Sequence, residues 1–411
     1  MSEELSNQPV SGRRAAPKRR ARKKKRHTVL RAVLGTAFTL ALVTMLSATF
    51  VYRQLDGNIS SFENEDDILG ERPDKETVEG PKEPLNIVLI GSDEADDREG
   101  KRSDTTMILH VSADREFAYG VSLPRDAIVD RPDCRVTNED TGAIETVAGE
   151  DTVMFNTAYN AGGALCTVET IEELTGIYVD AVAEIDFRSF ENMVDAIGGV
   201  EICVPEEIED TRYNISLPEG RYVATGEQAL DYVRERHRLS TNGDVGRMKR
   251  QQSFLASMAN KIVSAETLTN PGRLYNLADA VTQSITISED YAGIQQLAGL
   301  GSELNGIGLD RIQFVTVPNE EWVEDPNRLI WTDEADDLWQ LIRTDQALTA
   351  EFLGGAIGAE DPGGSVVTTP PSAAPTTPTD GPTSTATDEP TDEDPVESLT
   401  PEEVAAANGL C

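Results

Sequence analysis

The chain has 411 residues and a formal net charge of −37, from 36 basic and 73 acidic side chains. So acidic a chain lacks the basic surface on which nucleic-acid-binding proteins depend, and we expect no nucleic-acid partner. Its length leaves room for one large domain or two modest ones, and its hydrophobic content of 38% is adequate for a core.

The N-terminal 27 residues are basic, with the run RRAAPKRRARKKKR at 13–26. The stretch 33–51 then contains no charged residue, and its length of about 20 residues is enough to cross a bilayer as a helix. We therefore predict a single transmembrane anchor at 28–52. Basic residues before it predict a cytoplasmic N-terminus and an extracytoplasmic remainder. A cleaved signal peptide is the alternative, because Ser47 and Ala48 are small.

Beyond the anchor, residues 53–83 are acidic and loop-like, and we predict a stalk. The folded domain is predicted at 84–355. Apolar runs predict strands at 85–91, 105–111, 117–123, 181–187, 200–204 and 311–317, and helical periodicity predicts helices at 164–175, 189–197, 244–264 and 333–344. The alternation indicates an α/β fold, a mixed-sheet α/β(α) sandwich with helices packed on the sheet.

The C-terminal region changes character twice. Residues 356–399 form a predicted disordered linker, because the Pro-, Thr-, Ser- and Asp-rich stretch inside it cannot bury enough apolar surface to fold. Residues 400–411 are predicted to form a short helix, since Thr400, Pro401 and Glu403 form a capping box with proline at the first helical position.

All four cysteines follow the apolar segment, and an even number in an oxidising compartment predicts two disulfides. Cys134 and Cys166 flank a loop region beside the NAGG segment, so we expect them to pair with each other. Cys203 then remains for Cys411, because a linker of about 40 residues has a typical reach of roughly 35 Å. The alternative is a free Cys411 that pairs between molecules. The absence of a C-x-x-C pair argues against a zinc site.

Two aspartates stand at predicted strand ends. Asp93 closes LNIVLIGSD, and Asp104 closes the RSD that begins at Arg102. Two carboxylates brought together by strand ends can hold Mg²⁺ through oxygen. Arg125, in SLPRD, also follows a predicted strand. The alternative is that each aspartate only caps a turn.

Five further polar residues follow in one short stretch. Arg234 and Arg236 share a face if the chain there is extended, which suits the two phosphates of a pyrophosphate. Arg247, Arg250 and Gln251 have helical i, i+3, i+4 spacing near the positive end of a predicted helix, where anions bind. Together these residues predict a site for a multiply charged phosphate with a divalent cation. The alternative is a solvated face with unrelated surface salt bridges.

The chain contains no G-x-x-x-x-G-K-[ST], G-x-S-x-G or H-E-x-x-H motif. Their absence argues against P-loop nucleotide hydrolases, α/β-hydrolases and zincin proteases.

The order of the motifs GSD, RSDTTMILHV, VSLPRD, FNTAYNAGG, TVETIEELTGI, VDAIGGVEICVP, GEQALDYVRERH and GDVGRMKRQQ closely resembles the LytR–CpsA–Psr family. The resemblance runs from about Leu85 to Ser264 and less sharply to about residue 345. The acidic, alanine-rich composition and the extra cysteines are similar to actinobacterial members.

The resemblance implies a membrane-anchored α/β domain with a hydrophobic groove for a polyprenyl chain. It implies transfer of a glycopolymer from a polyprenyl-pyrophosphate carrier to peptidoglycan. By the family pattern Asp93 and Asp104 bind Mg²⁺ or Mn²⁺ and act in catalysis with Arg125, and Arg234 and Arg236 hold the pyrophosphate with Arg125. The same pocket is lined by Arg102, Arg247, Arg250 and Gln251. One departure is that EADD follows GSD where the family often has an arginine.

Two alternatives to glycopolymer transfer stay open. The first is hydrolysis of the polyprenyl pyrophosphate, with water as the acceptor. The second is a non-catalytic envelope protein or a transcription attenuator. An attenuator needs a cytoplasmic reader, for which the predicted topology leaves only residues 1–27.

Overall fold

The computed structural model describes residues 25–70, 72–93, 103–138, 141–211, 215–235, 244–264, 267, 269–363 and 410. Its first element is helix α1 (Lys25–Asp56). The part Val29–Asp56 has a mean hydropathy of 1.9 over its most apolar window, none of which is buried within the protein. By length and composition this helix can cross a membrane, and it covers the segment that the sequence predicts as the anchor.

An eight-stranded mixed sheet is the centre of the globular domain. The strands are numbered in chain order, and across the sheet they follow one another as β1 (Ser60–Ser61), β14 (Ile285–Ile287), β9 (Ala181–Asp186), β2 (Leu85–Ser92), β3 (Ser103–Val111), β4 (Ala118–Leu123), β15 (Ile312–Thr316) and β18 (Ile357–Gly358). The predicted strands 85–91, 105–111 and 117–123 are confirmed as β2, β3 and β4.

The strand directions bring several strand ends to one edge of this sheet. β9 is parallel to β2, β15 is parallel to β4, and β3 is antiparallel to both β2 and β4. The carboxyl ends of β2, β9, β4 and β15 therefore meet the amino end of β3. We call this edge, formed by Ser92, Ser103, Leu123, Asp186 and Thr316, the carboxyl edge.

Helices cover both faces of the sheet. Beyond α1 the helices described are α2 (Glu65–Leu69), α3 (Thr157–Thr175), α4 (Phe187–Ala196), α5 (Gly226–Arg234), α6 (Asp244–Val263), α7 (Pro271–Ser284), α8 (Ile294–Ile307), α9 (Glu334–Arg343) and α10 (Ala350–Leu353). Val168 of α3 and Trp339 of α9 are buried in one core with Ile108 of β3. Ala256 of α6 is buried in a second core with Met107 and Phe314. Met107 and Ile108, neighbours in β3, thus point into opposite cores. This alternation is expected of a strand that is buried on both faces. The predicted α/β sandwich is confirmed.

A smaller layer lies beside the sheet and carries a core of its own. Two antiparallel ribbons, β10 (Val200–Val204) with β13 (Gly220–Ala224) and β11 (Ile208–Asp210) with β12 (Ile215–Leu217), contribute Ile202 and Leu217. Tyr232 of α5 and Phe254 of α6 fill the same core. α6 therefore joins this layer to the main sheet. Three antiparallel strand pairs complete the described part of the domain, β5 (Ile128–Arg131) with β8 (Glu150–Met154), β6 (Cys134–Thr137) with β7 (Ile144–Val147), and β16 (Asn319–Trp322) with β17 (Asp325–Trp331).

The folded domain is larger than the predicted range 84–355 at both ends. Inside the predicted stalk, β1 pairs with β14, and Ile68 and Leu69 of α2 are buried in the main core. At the other end β18 pairs with β15 inside the predicted linker, and the chain is described through Gly363. The prediction was wrong here because strands two residues long and one helical turn are too short to produce a detectable period.

A disulfide joins Cys134 of β6 to Cys166 of α3, the pairing that the sequence favoured, with a Cα–Cα distance of 5.3 Å and a sequence separation of 32. In the chain-entropy model such a crosslink contributes about 3–4 kcal/mol. Gly162 of the NAGG segment lies against it, where a Cβ would come within 2.8 Å of the Cβ of Cys166. Gly163 has φ +68° and interrupts the helical backbone of α3. The two glycines thus allow this helix to bend against the disulfide.

Candidate functional site

The predicted metal-binding aspartates lie at neighbouring strand ends of the carboxyl edge. Asp93 directly follows β2, and Asp104 is the second residue of β3. The ladder pairs Gly91 with Thr105 and Ser92 with Ser103, so Asp104 is one extra residue between two successive pairs. A β-bulge of this kind turns a side chain away from its regular position. The bulge therefore sets the direction of the Asp104 carboxylate beside the end of β2.

Arg125 meets Asp104 at this edge. Its Nη1 donates a hydrogen bond to Asp104 Oδ1, and both side chains are largely buried. Arg125 follows β4, which is the neighbour of β3 in the sheet, and Pro124 fixes the backbone between strand and arginine. The structure thus brings together two of the residues that the sequence assigned to one site.

Arg234 comes to the same edge by another route. It is the last residue of helix α5, so the extended conformation under which Arg234 and Arg236 would share a face is not present at this position. Its guanidinium lies 4.5 Å from the ring centroid of Phe187, in a cation–π contact. Phe187 begins α4 directly after β9, where Asp186 caps the helix by accepting from Ser189 N at 2.7 Å. The turn from β9 into α4 therefore provides the surface on which Arg234 lies.

The polar residues of α6 are buried. The exposed fraction is 2% for Arg247, 0% for Arg250 and 7% for Gln251, so the alternative of a solvated helix face is wrong. Arg250 Nη2 donates to the carbonyl oxygen of Glu235, and Gln251 Nε2 donates to the carbonyl oxygen of Val233 at 3.1 Å. Both contacts hold the chain on either side of Arg234. Helix α6 therefore fixes the arginine segment as well as contributing charge.

Two carboxyl groups near the segment that carries Arg234 have raised pKa values. Burial, with the nearby charge of Glu227, raises the pKa of Asp231 to about 6, although Arg234 acts in the opposite direction. The pKa of Glu191 is also raised, by burial and then by Glu227 and Asp195. These carboxylates lie on the helices that carry Arg234 and its aromatic support. Protonation of Asp231 in the weakly acidic range therefore changes the charge near Arg234.

A model of the LytR_cpsA_psr family matches residues 51–344 of this chain. The chain belongs to that family. The match begins inside α1 and includes β1 and α2, in agreement with the folded range and not with a detached stalk.

Individual members of the LytR_cpsA_psr family are similar over most of the chain. The cell wall biosynthesis protein LcpA of Corynebacterium glutamicum is 30% identical over 71% of this chain, which spans 60% of the length of LcpA. The polyisoprenyl-teichoic acid–peptidoglycan teichoic acid transferase TagU of Bacillus subtilis is 27% identical over 70% of this chain and 92% of its own length. A solved structure of TagT bound to LI-WTA has the same fold, with a TM-score of 0.51 and 22% identity over 67% of this chain and 96% of that chain.

The sequence analysis did not identify Gln252, a buried residue that links α6 to the sheet. Its Nε2 lies within hydrogen-bond distance of three acceptors, Ser122 Oγ at 2.9 Å, the Val315 carbonyl oxygen at 3.0 Å and Thr316 Oγ1 at 2.9 Å, which share its two hydrogens. These acceptors lie at the ends of β4 and β15. The available signal was the pair of glutamines at 251–252 in a predicted helix. Neighbouring side chains of a helix point about 100° apart, so the two glutamines face different surroundings.

The oxygen donors at the carboxyl edge fit a hard divalent cation. Asp93 and Asp104 supply carboxylates, and among the described residues Ser92 Oγ, Ser103 Oγ and Thr106 Oγ1 are buried hydroxyls without a hydrogen-bond partner. Oxygen ligands of this type suit Mg²⁺ or Mn²⁺. Elsewhere in the described chain Cys134, Cys166 and Glu169 lie close together, but the disulfide removes the thiolates that a metal needs.

Three predicted site residues lie outside the described residues, namely Arg102, Arg236 and Cys411. Cys203 is described, and it is disulfide-bonded.

Proposed function

We propose that this protein is a membrane-anchored phosphotransferase that moves a glycopolymer from a polyprenyl-pyrophosphate carrier to peptidoglycan. The observation that carries the proposal is that the Asp104–Arg125 pair and Arg234 lie at the same edge of the sheet, in a chain of net charge −37. Arginines concentrated at one place in so acidic a protein fit a polyanionic ligand. The name of TagU, a teichoic acid transferase to peptidoglycan, supports the same class of reaction.

In the proposed reaction a hydroxyl oxygen of the peptidoglycan acceptor bonds to the glycan-side phosphorus. The bond from that phosphorus to the bridging oxygen breaks, polyprenyl phosphate leaves, and the hydroxyl proton is released to solvent. Arg125 and Arg234 bind the pyrophosphate and offset the charge that moves to the leaving oxygen, which is the main task of a phosphoryl-transfer site.

Asp93 and Asp104 are the residues that would hold a Mg²⁺ or Mn²⁺ ion. When bound, such an ion supplies positive charge to the phosphate oxygens. Asp104 also orients Arg125 through their hydrogen bond. It therefore has a second role in addition to metal binding.

We infer that the N-terminus is cytoplasmic and the domain extracytoplasmic. The support is the basic run at 13–26 before the apolar helix and the disulfide in the domain. Protease added to intact protoplasts is expected to digest the domain and spare the basic segment. Protection of the domain contradicts this orientation.

The deciding experiment incubates the full chain in detergent with polyprenyl-pyrophosphate-linked glycan, peptidoglycan and Mg²⁺. We expect a covalent glycan–peptidoglycan product and free polyprenyl phosphate, with neither formed in EDTA. Glycan phosphate released without attachment to peptidoglycan shows the protein to be a hydrolase and contradicts the transferase proposal. Arg311→Met changes charge at the opposite edge of the sheet and provides a control for nonspecific loss of activity.

A further inference from the structure

A second arginine is linked to Arg125 through a shared carboxylate. Asp126 Oδ1 accepts a hydrogen bond from Arg328 Nη1 at 3.2 Å, and Asp126 Oδ2 lies 3.8 Å from Arg125 Nε. The Asp126 side chain is 10% exposed and that of Arg328 is 32% exposed. Arg125 thus donates a hydrogen bond to Asp104 and forms a longer ion pair with Asp126, and Asp126 in turn accepts a hydrogen bond from Arg328.

Arg328 is carried by a hairpin that is fixed to the carboxyl edge. The hairpin β16–β17 starts three residues after the end of β15. Leu329 N donates to the Asp126 carbonyl oxygen at 3.5 Å, and Leu329 forms a β-bridge with Ala127. At the end of β17 the ring centroids of Trp331 and Trp339 are 5.4 Å apart, which anchors the hairpin on α9. The position of Arg328 is therefore set by packing.

The charges of this group explain why a second arginine is needed. Asp104 and Asp126 together carry two negative charges against the single positive charge of Arg125. For these four side chains alone the net charge is about −1 without Arg328, which repels a pyrophosphate, and zero with it. Asp325, whose carboxylate lies 3.7 Å from Arg328 Nε, is 41% exposed, so solvent screens its charge more strongly than that of Asp126. Asp126 is mostly buried, so solvent screens its charge poorly.

We propose that Arg328 is a positioning residue for the reaction, which acts through Asp126 to keep the Arg125 guanidinium oriented and available to the pyrophosphate. The inference rests on the proposed function, because it assumes that Arg125 binds this group. Under this proposal the β16–β17 hairpin contributes to substrate binding. Arg328 acts through Asp126 and does not itself contact the substrate.

The test measures binding of geranylgeranyl pyrophosphate to the full chain in detergent at fixed salt. Arg328→Met is expected to raise the Kd roughly ten-fold, as for a lost charge near an anion site. Arg328→Lys is expected to retain most of the affinity. The control is Arg311→Met, which removes the same charge from a surface ion pair with Asp310 at the amino end of β15. In the joining assay KM is expected to rise more than kcat falls.

A double variant separates charge compensation from simple structural support. Asp126→Asn removes the negative charge but keeps a side-chain oxygen for Arg125, so Arg328→Met/Asp126→Asn is expected to bind more tightly than Arg328→Met alone. If Arg328 and Asp126 only support the fold, the double variant is expected to bind the pyrophosphate more weakly than Arg328→Met alone. That result overturns the inference. Wild-type affinity in Arg328→Met also overturns it while leaving the proposed function intact. Failure of the wild-type protein to bind the pyrophosphate overturns both.

Thermal unfolding of each variant checks that the fold is retained. If Arg328→Met does not fold, Arg328→Gln replaces it, because glutamine keeps a donor for Asp126 without the positive charge. The same loss of affinity and the same recovery with Asp126→Asn are then expected.

Discussion

The Gln252 side chain of α6 donates to Ser122 Oγ of β4 at 2.9 Å and is completely buried. The same nitrogen reaches two acceptors at the end of β15. This one amide therefore ties the helix that carries Arg247 and Arg250 to β4 and β15, two of the strands whose ends form the carboxyl edge. The neighbouring Gln251 instead holds the chain beside Arg234. The two adjacent glutamines of α6 thus have different contacts, Gln252 with the sheet and Gln251 with the segment that carries Arg234.

This division predicts different consequences for the two glutamines. Gln252→Ala is expected to lower the free energy of unfolding by about 2–4 kcal/mol, because it leaves a cavity and deprives buried oxygens of their donor. Gln251→Ala removes one hydrogen bond and is expected to cost about 1 kcal/mol, with weaker binding of geranylgeranyl pyrophosphate. Urea unfolding followed by tryptophan fluorescence measures both. Equal destabilisation by the two substitutions contradicts the assignment.

The roles proposed for the carboxylates and the arginines are separable by variants. Asp93→Ala is expected to abolish metal-dependent joining while part of the binding of lipid pyrophosphate remains. Arg125→Ala is expected to weaken binding itself, since it removes a charge-assisted contact on the order of 1.5–3 kcal/mol. Joining and binding assays on the same preparations distinguish the two effects. Full activity of Asp93→Ala disproves the metal assignment.

The raised pKa of Asp231 predicts a pH-dependent stability. Its pKa is about 6 in the folded protein against a reference value of 3.8, so the unfolded chain loses this proton more readily. The contribution of Asp231 to the free energy of unfolding therefore falls as the pH rises from about 4 to about 6, and it stays low above pH 6. Asp231→Asn is expected to stabilise the protein above pH 6 by about 1 kcal/mol, a value reduced for the solvent exposure of the group. It is expected to have no effect near pH 4.

Urea midpoints at pH 4 and pH 7.5 measure the effect. The exposed Asp151→Asn serves as the matched control. A gain of the same size at both values of pH would show that burial of the Asp231 charge is not its cause.

The C-terminal residues are predicted to be covalently attached to the domain. Leu410 is 5% exposed and packs in the core that contains Ala256 and Ile357. It also lines a small cavity with Cys203 and Pro362, so the chain returns to the place near which the described domain ends. We expect a Cys203–Cys411 peptide in non-reducing mapping, with the Cys134–Cys166 peptide as the internal standard. A free thiol at Cys411 contradicts the pairing.

Features that depend on local pattern were predictable from the order of the amino acids. An uncharged apolar run is sufficient to predict α1, and short apolar runs are sufficient for β2, β3 and β4. The order of short motifs was sufficient for the family, which the match over residues 51–344 confirms. These features are recognisable because hydrophobic period and motif order are properties of neighbouring residues.

Which charges act together depends instead on long-range packing. Helical spacing placed Arg247, Arg250 and Gln251 on one face but did not show that this face is buried. The link between Asp126 and Arg328 joins residues 202 positions apart, and no local period relates them. Burial and ion pairing follow from the surfaces that the folded chain brings into contact. The chemistry of the carboxyl edge therefore results from the direction of its strands as much as from the residues at their ends.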